Sequence, residues 1–253
     1  MSAPVIDLNA DVGQQSEATG IADDLAIMHA VSSVNVACGF HGGDGETMHA
    51  LCQAAVHLHK RIGAHVSCLD PEGFGQHDLN VNFSVLRDQI VQQIRALAAT
   101  AQAVGGRVSY VKPHDTLYNR TTVDPGQAEA IIAAVLAADR RLVLLAPPAS
   151  QLLQRATAEG LDAAAEAFAD RAYRQDGTLL PLSQPGSALT AQQAFAQAEM
   201  IVFHQQVITI EDRTLAMPTR SLCIHRDTPS DAELALRLRN HLIGAGVEIR
   251  PFS

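Results

Sequence analysis

The chain has 253 residues, a formal net charge of −9, 47% hydrophobic residues and no tryptophan. Its only lysines are Lys60 and Lys112 and it has no basic run, which argues against a nucleic-acid surface; no apolar stretch approaches the roughly 18 residues of a membrane span. This length admits one large barrel or two small domains with a core of Ala, Val, Leu and Ile, and without a low-complexity linker the expectation is a single domain over 1–253.

The first strand is predicted at Val5–Asn9, so close to the start that no basic n-region or apolar h-region precedes it. Cys38, Cys52, Cys68 and Cys223 show no C-x-x-C spacing and read as free thiols of a cytoplasmic protein. A helix over Asp23–Val31 leads to a strand at Ser33–Cys38. Glu46–Lys60 places Met48, Leu51, Ala55 and Leu58 on one helical face, and Arg61–Ala64 is the third strand. Residues 66–82 have no period and contain Pro71, Gly73 and Gly75, so they read as a long loop, a common home for function. Phe83–Val104 is helical with Leu86, Ile90, Ile94, Leu97 and Ala101 in phase, and Gly105-Gly106 stops it before a strand at Val108–Val111.

Ala128–Ala138 reads as helix, Leu142–Ala146 as a buried strand and Ala149–Glu159 as helix. Ala163–Phe168 is ambiguous: its alanines favour helix, its place in the alternation favours strand. Ala191–Met200 is helical, Gln206–Ala216 alternates like a surface hairpin, Leu222–His225 is a strand, Asp231–Ile243 a helix and Val247–Ile249 a last strand. This βαβα rhythm predicts a parallel sheet of six or seven units closed into a barrel or near-barrel.

Polar residues recur where the strands end: Asp7-Leu8-Asn9-Ala10-Asp11, then Gly39-Phe40-His41-Gly42-Gly43-Asp44, then His65, Lys112-Pro113-His114-Asp115, Asp170-Arg171 and His225-Arg226-Asp227. In a parallel barrel these ends share one face, where active sites assemble. Single residues have plain structural readings: Asp44 as a helix cap, Asp170 and Arg171 as an ion pair, the glycines as turn formers. Four histidines at equivalent points are harder to assign to packing alone. Asp11, His41 and His65 match the ligand types of a divalent-metal site with open positions. Without metal the same groups suit acid–base work, Asp11 activating a water and a histidine protonating a leaving nitrogen. Lys112, beside His114, suits holding a carboxylate or polarising a carbonyl.

Those motifs also carry a resemblance. DLNADVG (Asp7–Gly13), NVACGFHGGD (Asn35–Asp44), IGAHVS (Ile62–Ser67), GFG (Gly73–Gly75), VKPHDTLYN (Val111–Asn119), FADRAYRQDGTLLPLSQPGS (Phe168–Ser187) and CIHRDTP (Cys223–Pro229) occur in the order seen in the LamB/YcsF family, which the chain resembles. The resemblance implies a seven-stranded β/α barrel similar to glycoside hydrolase and deacetylase barrels. It further implies ATP-coupled opening of the 5-oxoproline lactam to glutamate, in a complex with two further subunits. Asp11, His41, His65, Lys112 and His114 are then the catalytic candidates, and Asn9, Asp44, Asp170, Arg171 and His225 the substrate-binding ones. No G-x-x-x-x-G-K followed by Ser or Thr is present, so ATP belongs to the complex rather than to a Walker site in this chain. The family pattern has Glu, Arg and Gly where this chain has Gln14, Gln76 and Asp115, and HGD where it has His225-Arg226-Asp227. These departures leave room for a metal-dependent hydrolase of another small amide or acyl substrate, or for a non-catalytic subunit of the same complex.

Overall fold

The computed structural model describes residues 3–15, 18–181, 183–225 and 231–252; Leu182, Arg226 and Asp227 lie outside them. Strands β1 (Val5–Val12), β2 (Ser33–Ala37), β3 (Arg61–Val66), β4 (Val108–Pro113), β5 (Val143–Ala146) and β6 (Ala163–Phe168) pair in sequence order. After a small antiparallel hairpin, β7 (Gln206–Ile208) with β8 (Thr214–Ala216), strand β9 (Ser221–Cys223) lies between β6 and β1. The result is a closed, seven-stranded parallel barrel. A short β10 (Glu248–Ile249) stays outside the ring and pairs with the first residues of β1.

Helices α1 (Ala18–Met28), α2 (Gly45–His57), α3 (Phe83–Ala103), α4 (Asp115–Arg120), α5 (Pro125–Asp139), α6 (Gln151–Ala158), α7 (Ala191–His204) and α8 (Asp231–Gly244) form the crossovers. Their starts have local causes. Asp44, Asn82, Asp124 and Ser150 each accept a backbone N–H at a helix start, and Thr190 with Gln193 makes a capping box. Pro125 at the first position moves α5 three residues ahead of the expected Ala128. No helix among the described residues is long and apolar enough to cross a membrane.

Strand β1 shows how the barrel is built. Its alternation sends Ile6, Leu8, Ala10 and Val12 into the apolar layer beneath the helices. Asp7, Asn9 and Asp11 therefore point into the lumen, and the strand extends through Val12 rather than ending at Asn9. The lumen is a ladder of hydrogen bonds. Ser32 and Ser33 donate to Asp7 at 2.7 and 2.6 Å, and Ser221 donates to its other oxygen. Asn9 Nδ2 donates to Glu166 at 2.7 Å and to Ser221 at 2.8 Å. Asn35 Nδ2 bridges Asn9 and Asp11, each at 2.7 Å, while Tyr110 donates to Asn35 Oδ1 at 2.6 Å. Such a row survives burial because nearly every polar group finds a partner. Gly63 makes room for it: a Cβ there would sit 2.1 Å from the Tyr110 ring.

The ambiguous segment Ala163–Phe168 is strand, paired with β5 and β9. Its small alanines fit the closed ring, and Glu166 points inward to the ladder.

Candidate active site

Asp11 tops the ladder at the C-terminal mouth. Its Oδ1 accepts from Lys112 Nζ at 2.9 Å and from Asn35, and its Oδ2 lies 3.3 Å from His65 Nε2. Burial disfavours its ionised form, but the charges of His65 and Lys112 outweigh that and hold the carboxyl well below the usual range. Lys112 is buried beneath it, 3.2 Å from Glu166 and 3.3 Å from the Cys223 thiol. Burial alone lowers a lysine pKa; here Asp11, Cys223 and Glu166 outweigh it and raise it well above normal. The ammonium is thus engaged by the protein's own groups, and its charge favours the ionised form of Asp11.

Above Asp11, His41, His65 and His114 bring one ring nitrogen each within 4.8 Å of one another. All are buried. His41 stacks on His114 with centroids 3.8 Å apart, and His65 meets both edge-on. Burial, reinforced by neighbouring imidazoles, pushes His41 well below the usual histidine value and His114 down to about 3, so both are neutral. The expected metal trio was Asp11, His41 and His65; the structure gathers His114 with the two histidines and gives Asp11 to Lys112 and Asn35.

The 66–82 loop covers this cluster. Phe74 packs edge-on against His41 and His114, and its carbonyl accepts from His114 Nε2 at 2.9 Å. Gln76 O accepts from Thr116 at 2.9 Å. The loop passes so close that a Cβ on Gly75 would lie 2.6 Å from the His114 ring. On the other side, the glycines of the β2–α2 turn hug β1: a Cβ on Gly43 would lie 2.5 Å from the Gly13 carbonyl. Asp115 adopts φ +37°, a region that favours glycine, which gives the family's Gly at this position a backbone reason.

A second group forms the opposite wall. Asp170 accepts from the His225 backbone N–H at 2.8 Å and ring Nδ1 at 3.1 Å, and His225 stacks on Phe168. Burial opposes charge on both, but their mutual attraction lowers Asp170 and raises His225. Arg171 is not paired with Asp170. It donates to Leu180 O at 3.1 Å, and its buried Nε has no partner.

Two substrate-binding candidates lie elsewhere. Asn9 is sealed inside the lumen, and Asp44 is an exposed cap of α2 bonded to Thr47 N at 2.8 Å. Glu166, Tyr110, Ser67 and Phe74 were not anticipated. Glu166 alone had a visible signal, a single carboxylate in an alanine-rich strand.

Fold and site together define a closed, seven-stranded parallel β/α barrel with an ionised carboxylate and three buried imidazoles at its mouth. The LamB/YcsF family model matches residues 6–253, and the chain belongs to that family. The 5-oxoprolinase A subunits of Streptomyces avermitilis and Methylococcus capsulatus are 42% and 40% identical to it, each over 98% of this chain and over 100% and 95% of their own length. A lactam utilization protein from Thermus thermophilus is similar in structure, with TM-score 0.91 and 36% identity over 98% of this chain and all of that one. A family 4 carbohydrate esterase from Streptomyces lividans shares the fold alone, at TM-score 0.53 and 11% identity over 100% of this chain and 95% of that one.

Proposed function

We propose that this chain is the lactam-opening subunit of an ATP-dependent 5-oxoprolinase, converting 5-oxoproline to L-glutamate with two further subunits. The observation that carries the reading is the ionised Asp11 carboxylate, clamped between Lys112 and His65 beneath a loop-covered mouth. The relatives' names supply the substrate class.

Lactam opening needs a water oxygen on the ring carbonyl carbon, cleavage of the C–N bond and a proton on the departing nitrogen. Asp11 accepts the water proton, and its link to His65 gives that proton a path to the imidazole cluster. While the three imidazoles hold no metal ion, His114, in contact with His65 at 3.1 Å, returns a proton to the nitrogen. Arg171, a buried cation whose Nε lacks a partner, suits the substrate carboxylate, with His225 fixed by Asp170 beside it. ATP in the complex would phosphorylate the amide oxygen with release of ADP and turn a poor electrophile into a good one. Water attack with C–N cleavage then leaves a γ-glutamyl phosphate, which a second water hydrolyses to glutamate and phosphate. Four free buried cysteines accord with work in a reducing cytosol.

The test uses the complete three-subunit complex. Glutamate release from 5-oxoproline should require ATP, and Asp11→Asn should lower kcat by about 10²–10⁴, the range for a lost general base. A complex that turns over no 5-oxoproline, or an Asp11→Asn complex at full rate, overturns the assignment.

A further inference from the structure

We infer that His41, His65 and His114 form a binding site for a borderline divalent metal ion of the Zn²⁺ type. The geometry carries it: one nitrogen of each ring lies within 4.8 Å of the others, and His41 Nε2 is buried without a hydrogen-bond partner. His65 Nδ1 lies 3.2 Å from the Lys112 carbonyl, which can only accept, so that nitrogen carries the hydrogen. His114 Nε2 lies 2.9 Å from the Phe74 carbonyl and is protonated for the same reason. Ser67 donates its hydroxyl hydrogen to the Cys68 carbonyl at 2.8 Å, so it accepts from His41 Nδ1 at 2.9 Å. His41 and His114 thus each turn a protonated nitrogen outward and a bare one inward, while His65 Nε2 faces both His114 and the Asp11 carboxylate.

The inward atoms are His41 Nε2, His65 Nε2 and His114 Nδ1. Two of them, on His65 and His114, face each other at 3.1 Å. The third, on His41, is fully buried and has no hydrogen-bond partner. Gln14 Nε2, at 3.5 Å from His114 Nδ1, is at the limit of hydrogen-bond range. A proton on His65 Nε2 serves Asp11 or His114 and still leaves His41 Nε2 orphaned. A metal ion satisfies all three lone pairs at once.

Donor type and spacing agree. Neutral imidazoles suit Zn²⁺ and its neighbours, and outward N–H bonds to carbonyl or hydroxyl oxygens are how ligating histidines are oriented. Zn–N bonds of about 2.0–2.1 Å put tetrahedral ligand atoms about 3.3 Å apart; the facing pair is at 3.1 Å and all three lie within 4.8 Å. Asp11 Oδ2, 3.3 Å from His65 Nε2, adjoins the site and leaves a position for a water or substrate oxygen. None of this depends on the identity of the substrate.

The experiment titrates the full-length chain, stripped with chelator, with Zn²⁺ and Co²⁺. Calorimetry should give one tight ion per chain, and Co²⁺ should give visible absorption of tetrahedral type. His41→Ala and His114→Ala should each weaken binding at least tenfold, while His49→Ala, on the exposed face of α2, should not. Ring ¹⁵N spectra of the stripped protein test the geometry without relying on variant folding. They should show Nδ1–H on His41 and His65 and Nε2–H on His114, with the inward nitrogens shifting on metal addition. Binding no tighter than that of His41→Ala, or inward nitrogens that carry protons and ignore the metal, overturns the proposal.

Discussion

Asp7 lies at the base of the polar lumen, and burial pushes its pKa from 3.8 up to about 6 against the pull of three serine hydroxyls. The folded state therefore holds this proton more tightly than the unfolded chain does. Stability from the group is fully present below pH 3.8 and is lost as pH rises through about 6. A shift of that size corresponds to about 3 kcal/mol in total, of which about 2 kcal/mol falls between pH 4.5 and 7.5. Asp7→Asn keeps the shape of the protonated acid and cannot ionise. Its cost in rearranged serine bonds is the same at every pH, so comparing variant and parent at two pH values cancels it. Urea unfolding at pH 4.5 and 7.5 should show the variant gaining about 2 kcal/mol on the parent over that interval. Parallel pH profiles would refute the reasoning and mean that Asp7 is ionised in the folded barrel throughout.

Gly63→Ala forces a methyl into the Tyr110 ring and should cost at least about 2 kcal/mol, read as a lowered Tm; an unchanged Tm would mean that Tyr110 does not fill that space. Lys112→Met strands Asp11 and Glu166 without their cation and should destabilise by about 3–5 kcal/mol in urea titration, where a neutral result would contradict the pairing. The Asp170–His225 pair gives a pH signature with two edges. Lowered Asp170 loses its contribution as pH falls below its ordinary 3.8, and raised His225 loses its own as pH climbs past 6.5 through the raised value. The stability difference between parent and His225→Gln should thus peak between those limits, and a flat difference would dismiss the pair.

The alternation of strands and helices was legible because helix faces and caps are local signals. The strand-end histidines could be placed on one face because parallel strands share a direction. What escaped has a common cause. In β1 the apolar residues alternate correctly, but they face the helices, and the inward set is Asp7, Asn9 and Asp11. Reading the polar half of such a pattern as a strand's end shortens the strand and hides the lumen. The six-residue α4 begins at a left-handed Asp115 and carries too few residues for a period to show. The grouping of His114 with His41 and His65 depends on the Phe74 loop folding back over the mouth, a contact across 40 residues that no spacing rule encodes.

The ladder inside the barrel also bears on how the chain finds its register. Side chains alternate along a strand, so a slip of β1 by one residue would turn Leu8 and Ala10 into the lumen and drive Asp7, Asn9 and Asp11 under the helices. Apolar packing alone would penalise such a slip modestly, since small aliphatic side chains fit either side of the sheet. Three stranded carboxylate and amide groups would penalise it heavily. The row of polar partners that ends at Asp11 thus selects the one closure of the ring in which that carboxylate reaches the mouth.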